Sequence, residues 1–388
     1  MSLKNGERQR FFPPNLTTQF DVCPVPFKVD SYNGCSFGCR FCFARYFVEY
    51  SRRNNPNESQ RKFSHLEMND PVKFKAWLDR AVQTKEYNYN HGAIVAIQER
   101  VPLKFGGIAD PFPPIEIKYR VTYDMLQALH THDYPVQILT KNPAMLVRYA
   151  PDFKKPNWVV SVSIISVDEK FIRTAEPGAP PPMVRLKAIE KLAAMGLPVM
   201  CKVQPAIYPR ILKDLPELVK AFKDHGAWAM NVEGCKVRVS MKPSEQEIFE
   251  QIGKYSGDDE FMGLGIRKYY RLRGTIVGPD YEITKSRKME YINLAIELAD
   301  KHGIKMFVAD NHMGKVGSGC ECCGTEKLRN YKIWGECHRV HSFGHVKHES
   351  QHMKKVIYNS FSYSGNPNRY RTLGDIMNDE LNRKGEIL

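Results

Sequence analysis

A chain of 388 residues, 42% of them hydrophobic, is long enough to bury a large core as one barrel-type domain or two smaller ones. No apolar run is long enough to cross a bilayer, and the polar, basic stretch Met1 to Pro14 lacks the apolar centre of a secretory signal, so a cytoplasmic protein with no membrane span is expected. A formal net charge of +14 favours polyanionic partners, nucleic acid first among them.

The N-terminal arm, residues 1–28, is broken by Pro13, Pro14, Pro24 and Pro26, and Cys23 within it reads as structural. Phe27 to Tyr32 predicts a short strand feeding the stretch Gly34-Cys35-Ser36-Phe37-Gly38-Cys39-Arg40-Phe41-Cys42. Thiolates gathered on such a glycine-bearing loop bind an iron–sulfur cluster or zinc. A structural site takes four ligands, so Cys35, Cys39 and Cys42 leave one metal position open for chemistry. Phe43 to Tyr50 continues as a helix, which completes a first strand–loop–helix unit.

Further units follow. Asp70 to Thr84 predicts a helix that Pro71 starts. Gly92 to Ile97 and Val101 to Gly107 read as strands, the second leading into Gly106-Gly107-Ile108-Ala109-Asp110-Pro111-Phe112. Helices are expected over Thr122 to His132, Ala144 to Tyr149, Pro182 to Met195, Leu215 to His225 and Ser286 to His302. Strands are expected over Val136 to Thr140, Trp158 to Ile165, Pro198 to Ile207, Trp228 to Glu233 and Ile304 to Ala309. This alternation predicts an α/β fold, a partial or full TIM-type βα barrel over residues 29–310.

In three strands apolar and polar residues alternate, so one face of each presents Ser161 and Ser163, Lys202 and Gln204, or Asn231 and Glu233. Helices cover the outside of a barrel, which sends these sets inward, and a polar interior is costly unless it binds something. Cys201 falls on the opposite face and is expected among the helices.

The cysteine spacing, with an aromatic residue before the last cysteine, resembles the cluster loop of the radical S-adenosylmethionine (SAM) superfamily, and the likeness extends over roughly Val29 to Ala309. Asn33 to Arg45, Gly107 to Glu116, Leu139-Thr140-Lys141 and Arg173 to Pro180 look like the spore photoproduct lyase-like group, the DNA repair photolyases. The resemblance implies a [4Fe-4S] cluster on Cys35, Cys39 and Cys42 whose fourth iron chelates SAM, and a 5′-deoxyadenosyl radical that takes hydrogen from the substrate. On that pattern the Gly106-Gly107 backbone meets the SAM amino group, while Ser161, Ser163 and Arg173 meet its ribose or carboxylate. Phe41 lies near the adenine, and Gln204 joins the cofactor set. Ile108 stands where the family pattern has an acidic residue. Lys202 and Cys235 are the candidates to act on substrate, Cys235 as a hydrogen-returning thiol. A nucleic-acid substrate, DNA foremost, and an electron donor such as flavodoxin or ferredoxin are implied with them. A peptide or small molecule is the rival substrate, and a metal-stabilised, non-catalytic nucleic-acid-binding protein is the rival function.

Residues 311–388 change character. Cys320, Cys322 and Cys323 lie in a glycine-rich run, and Cys337 follows with His338 and His341, so a second metal site is expected, an iron–sulfur cluster before zinc. Seven of the ten cysteines thus form two clusters, as suits a reducing compartment. Tyr269-Tyr270-Arg271-Leu272-Arg273 and Arg369-Tyr370-Arg371 interleave bases with aromatics, a mix that tracks phosphates and stacks bases or is merely solvated.

Overall fold

The β-branched runs pair in sequence order. The computed structural model describes residues 8–16, 25–53, 62–84, 92–241, 243–253, 259–310, 316–318 and 323–332. Its main sheet contains β1 (Asn15–Leu16), β2 (Phe27–Val29), β3 (Leu103–Phe105), β4 (Val136–Thr140), β5 (Trp158–Ser163), β6 (Val199–Ala206), β7 (Ala229–Gly234) and β8 (Lys305–Val308). The spatial order is β8-β7-β6-β5-β4-β3-β2-β1, with β2 to β8 parallel and β1 antiparallel on the edge. Among the described residues β8 and β1 do not pair, so the α/β sheet is an open, partial barrel.

The crossovers carry α1 (Phe43–Arg53), α2 (Pro71–Gln83), α3 (Gly92–Gln98), α4 (Val121–His130), α5 (Pro143–Tyr149), α6 (Glu169–Ala175), α7 (Pro182–Ala194), α8 (Arg210–Asp224) and α9 (Lys285–His302). Local chemistry sets their ends. Asp70 Oδ1 accepts from Val72 N at 3.1 Å and Lys73 N at 3.0 Å to cap α2, and Gly303, at φ +64°, closes α9 before β8.

Three sequence expectations are corrected. Gly92–Gln98 is a helix, not a strand: a short apolar run has no period that separates the two, and packing of Ala96 and Ile97 in the core decides it. The helix expected from Leu215 begins at Arg210 and carries Pro216 within it. Tyr269 and Tyr270 are buried on the helix Ile266–Arg273, so they are core residues rather than stacking platforms. That helix belongs to an insertion between β7 and α9, with helices Pro243–Gly253 and Asp259–Leu264 and the antiparallel strands Val237–Arg238, Gly274–Val277 and Asp280–Ile283.

The two sheet faces differ as the alternation predicts. Val160, Val162, Cys201, Val203, Met230 and Val232 join the helix-side core. On the other face Ser163 pairs in register with Lys202, and Lys202 with Asn231, all buried. Towards the strand N-termini this face turns apolar, where Met200, Ala229, Phe307 and Trp228 cluster. Residues 323–332 close that end. Gln137 Nε2 donates to Cys323 O at 3.2 Å, and Asn157 exchanges two bonds with the Arg329 backbone, at 2.9 and 2.8 Å.

Glu116 anchors α4 from within the core. Its carboxylate accepts from Thr122 N, Tyr123 N and the Tyr149 hydroxyl, each at 3.1 Å, and from the Tyr32 hydroxyl. Burial pushes its pKa from 4.5 up to about 6 against the pull of these bonds. The folded state then binds this proton more tightly than the unfolded chain, so stability falls as pH rises from about 4.5 to about 6, by about 2 kcal/mol, and is level above. Glu116→Gln is expected to remove this slope and, by setting an amide nitrogen against a backbone N–H, to cost about 1–3 kcal/mol at neutral pH. Urea unfolding between pH 4 and 7 measures both.

Candidate cofactor site

The cysteine loop is shaped by glycine and held from outside. Gly34 has φ +122°, and a Cβ there would stand 2.5 Å from Phe63 O, the atom that accepts from Cys35 N at 3.1 Å. Opposite, the last turn of α6 and the segment that follows it brace the loop. Arg40 donates from its backbone N to Ala175 O at 2.9 Å and from Nε to Thr174 O at 2.5 Å, and Gly178 N donates to Phe37 O at 2.8 Å. A Cβ on Gly178 would lie 2.8 to 2.9 Å from backbone atoms of Ser36 and Phe37. Cys39 is buried, Cys35 and Cys42 are half-buried, Cys42 acts electrostatically on Cys35, and both act on Cys39. Burial, with Asp110 next, pushes Cys35 up to about 12, and burial raises Cys39 well above the ordinary thiol range while Lys141 opposes it.

The glycine loop packs alongside. Asp30 Oδ1 accepts from Ile108 N at 3.0 Å and Ala109 N at 3.1 Å. Asp110 Oδ1 accepts from Phe112 N at 3.0 Å and the Thr140 hydroxyl at 2.8 Å, and its Oδ2 from Lys141 N at 2.6 Å. Gly106, at φ +84°, lies so close to β4 that a Cβ would fall 2.1 Å from Leu139 O. A Cβ on Gly107 would meet only the Lys28 side chain, at 2.9 Å.

Between the two loops lies a buried ionic group that the sequence reading did not single out, although Lys141 and Glu176 fall within motifs quoted above. The fully buried Glu176 carboxylate pairs with Arg185 at 2.5 Å and Lys141 at 3.4 Å. Arg185 also donates to Pro180 O at 2.7 Å and Ser163 O at 2.8 Å, and Lys141 Nζ is 5.7 Å from the Phe41 ring centre. Burial opposes the Glu176 charge, but Arg185 and Lys141 outweigh it and hold the carboxyl below its ordinary value. Burial likewise opposes the Lys141 charge, and Glu176 followed by Cys39 outweighs it.

The other predicted residues divide. Ser161 Oγ accepts from Gln137 Nε2 at 3.1 Å, deep on the inner face, and Ser163 lies one step nearer the strand C-termini. Lys202 is buried beside Glu233, which accepts from Gln204 Nε2 and pairs with Lys236 at 3.0 Å. Arg173 is on the exposed side of α6, paired with Glu169 at 2.6 Å, while Arg185 is buried against Glu176 and Arg45 donates to Cys39 O at 3.3 Å. Cys235 is 1% exposed, sealed beside Tyr270, and burial pushes its thiol up to about 12. Cys323 is buried in the segment that closes the strand N-termini. Cys320, Cys322, Cys337, His338 and His341, like Cys23 and Arg369 to Arg371, lie outside the described residues.

The donor set suits a polynuclear sulfur cluster. Among the described residues no group of three His, Cys, Asp or Glu side chains is arranged to hold a metal ion, and the fit rests on the three neighbouring thiols. A cubane takes each thiolate on a separate iron, so its ligands surround a volume rather than a point, as a loop carrying three neighbouring thiols allows. Metal ligation would deprotonate thiols that burial otherwise keeps protonated.

No family model matches the chain. An uncharacterized protein of Mycobacterium tuberculosis is 28% identical over 231 residues, which cover 56% of this chain and 61% of the relative. The ORF301 protein of Acidianus two-tailed virus, also uncharacterized, is 30% identical over 146 residues, 35% of this chain and 47% of that protein. The matches thus span about three fifths or less of these relatives' length. Among solved structures, a spore photoproduct lyase variant with bound AdoMet and dinucleoside spore photoproduct superposes with TM-score 0.51 at 13% identity, covering 78% of this chain and 81% of that one. The lyase complexed with dinucleoside spore photoproduct gives TM-score 0.51 at 14% identity, over 75% and 78% of the two chains. Fold and loop together define an open βα barrel with a three-cysteine motif after its first parallel strand. In particular, the fold is spore photoproduct lyase-like, as the sequence resemblance implied.

Gly178→Ala is expected to displace the cysteine loop and at least halve the iron retained after anaerobic reconstitution. Gly38→Ala, at φ +64° with only Pro177 Cγ nearby at 3.8 Å, costs about 1 kcal/mol of backbone strain and keeps more iron. Iron analysis and thermal unfolding of both variants check the contrast.

Proposed function

We propose that this protein is a radical SAM enzyme acting on nucleic acid, in which Cys35, Cys39 and Cys42 hold a [4Fe-4S] cluster. The observation that carries the reading is the braced three-thiol loop, placed in a spore photoproduct lyase-like fold whose inner strand face is polar. When bound, the cluster supplies the electron for reductive cleavage of SAM. The chain's own residues do the rest: the glycine loop offers backbone close to the cysteine loop, Phe41 an aromatic face, and Ser163, Lys202 and Gln204 polar groups towards the strand C-termini. Lys202, beside Glu233, is well placed to orient a substrate, whereas the sealed Cys235 must be uncovered before it can return a hydrogen atom.

A nucleic-acid substrate, DNA before RNA, is supported by the net charge of +14 and by the dinucleoside lesion bound in the solved lyase. The reading includes a one-electron donor of the flavodoxin or ferredoxin kind and a cytoplasmic location. It divides the chain into an arm (1–28), a barrel (29–310) and an extension (311–388) with a second iron–sulfur or zinc site on Cys320, Cys322, Cys323 and Cys337.

Reconstituted, reduced protein is expected to form 5′-deoxyadenosine from SAM, at least tenfold faster with the right nucleic acid. Cys42→Ala is expected to abolish formation while changing unfolding stability by about 1 kcal/mol or less. A wild-type protein that carries the cluster yet never cleaves SAM would sink the enzyme reading in favour of a binding protein. Cleavage indifferent to both DNA and RNA would redirect the search to peptides and small molecules.

A further inference from the structure

The ionic group under the cysteine loop gathers two cations, Arg185 and Lys141, around Glu176, with Asp110 acting on Lys141 as well. Arg185, with no exposed surface, forms an ion pair with Glu176 at 2.5 Å and donates to Pro180 O and Ser163 O. Lys141 is nonetheless drawn in, its side chain 15% exposed and its ammonium 3.4 Å from Glu176 Oε1. Taking a second cation out of water beside a carboxylate that already has one is unfavourable unless a further negative charge lies close. The other carboxylate nearby, Asp110, bonds to Phe112 N, Thr140 and Lys141 N, and its charge acts on both Lys141 and Cys35. Lys141 Nζ lies 5.7 Å from the ring centre of Phe41, the residue before Cys42, and its charge acts on Cys39. The loop thus has Lys141 within electrostatic reach of its buried cysteine and Asp110 within reach of a half-buried one.

We propose that Lys141, held in place by Glu176, is a positioning residue that raises the reduction potential of the cluster on Cys35, Cys39 and Cys42. The inference rests on the function proposed above. A [4Fe-4S] cluster with three thiolates gains one negative charge when it takes one electron from a low-potential donor, with no bond made or broken. A buried cation nearby stabilises that added charge, and net charge and burial are among the levers that set such potentials. Glu176 acts through Lys141: it fixes the ammonium and partly cancels it.

The test is a dithionite redox titration followed by electron paramagnetic resonance, without SAM, on iron-loaded wild type, Lys141→Gln, Lys141→Arg and Glu176→Gln. Lys141→Gln is expected to lower the reduced-to-oxidised ratio at fixed potential about tenfold, a negative shift of about 59 mV for one electron. Lys141→Arg restores the charge and stays near wild type, and Glu176→Gln shifts the potential the opposite way. Iron content and thermal unfolding accompany each variant. If Glu176→Gln fails to fold, the Gln and Arg variants at Lys141 decide the matter alone. Unchanged potentials, or shifts of the same sign for Lys141→Gln and Glu176→Gln, overturn the proposal. So does a Lys141→Gln variant whose only defect is weaker SAM binding, which assigns the ammonium to the SAM carboxylate. A wild-type protein that takes up no cluster defeats the proposed function itself, before this inference is reached.

Discussion

A fully buried carboxylate between two cations holds the working end of this molecule together. Glu176 takes Arg185 from α7 and Lys141 from the end of β4, while its own turn carries the carbonyls and the N–H that brace Arg40 and Phe37. Four segments far apart in the chain therefore meet at one charge: the cysteine loop, the glycine loop through Asp110 and Lys141 N, the C-terminus of β5 through Ser163 O, and the turn after α6. Such a group adds little net stability, because desolvating three ions offsets most of their attraction. What it adds is order. Moving α7 or the end of β4 would leave Glu176 short of a counterion, the costly way to break a buried ionic group.

The sheet beneath shows the same economy along its length. One register of β5, β6, β7 and β8 puts Met200, Ala229 and Phe307 on the inner face at one end, and Ser163, Lys202, Gln204 and Glu233 towards the other. The apolar end is closed by residues 323–332 through Gln137, Asn157 and Arg329, with Lys327 4.8 Å from the Trp228 ring centre. Chemistry is thereby confined to the end where parallel βα barrels offer their loops. The same end is tied to α9 and the insertion by Asp310, which accepts from Gly234 N at 2.9 Å, Tyr291 at 3.0 Å and Lys288 at 2.8 Å, while Lys288 also pairs with Glu282 at 2.6 Å.

Much of the fold was legible because it is written in local patterns. The alternation in β5, β6 and β7 told inner from outer face and placed Cys201 among the helices. Asp70-Pro71 and Gly303 marked helix ends where a capping carboxylate and a left-handed residue are needed. Gly92–Gln98 was not legible, since a short apolar run can bury itself either way. The helices and the small sheet between β7 and α9 were not read from the sequence either. Arg173 and Arg185 show the limit at the site. Both stand near the same motif and read alike in sequence, yet α6 turns the first to solvent and α7 turns the second inward.

By itself, the sequence determined the three-thiol loop, its two glycines and a parallel βα sheet to hold it, because cysteine spacing, glycine and period-two alternation are properties of neighbouring residues. Tertiary structure alone decided which charges surround those thiols. Glu176 meets Lys141 across 35 positions, and the Lys141 charge acts on Cys39 across 102. No local pattern encodes such a meeting, since it exists only once two crossovers have packed against the same sheet and water has left the space between them.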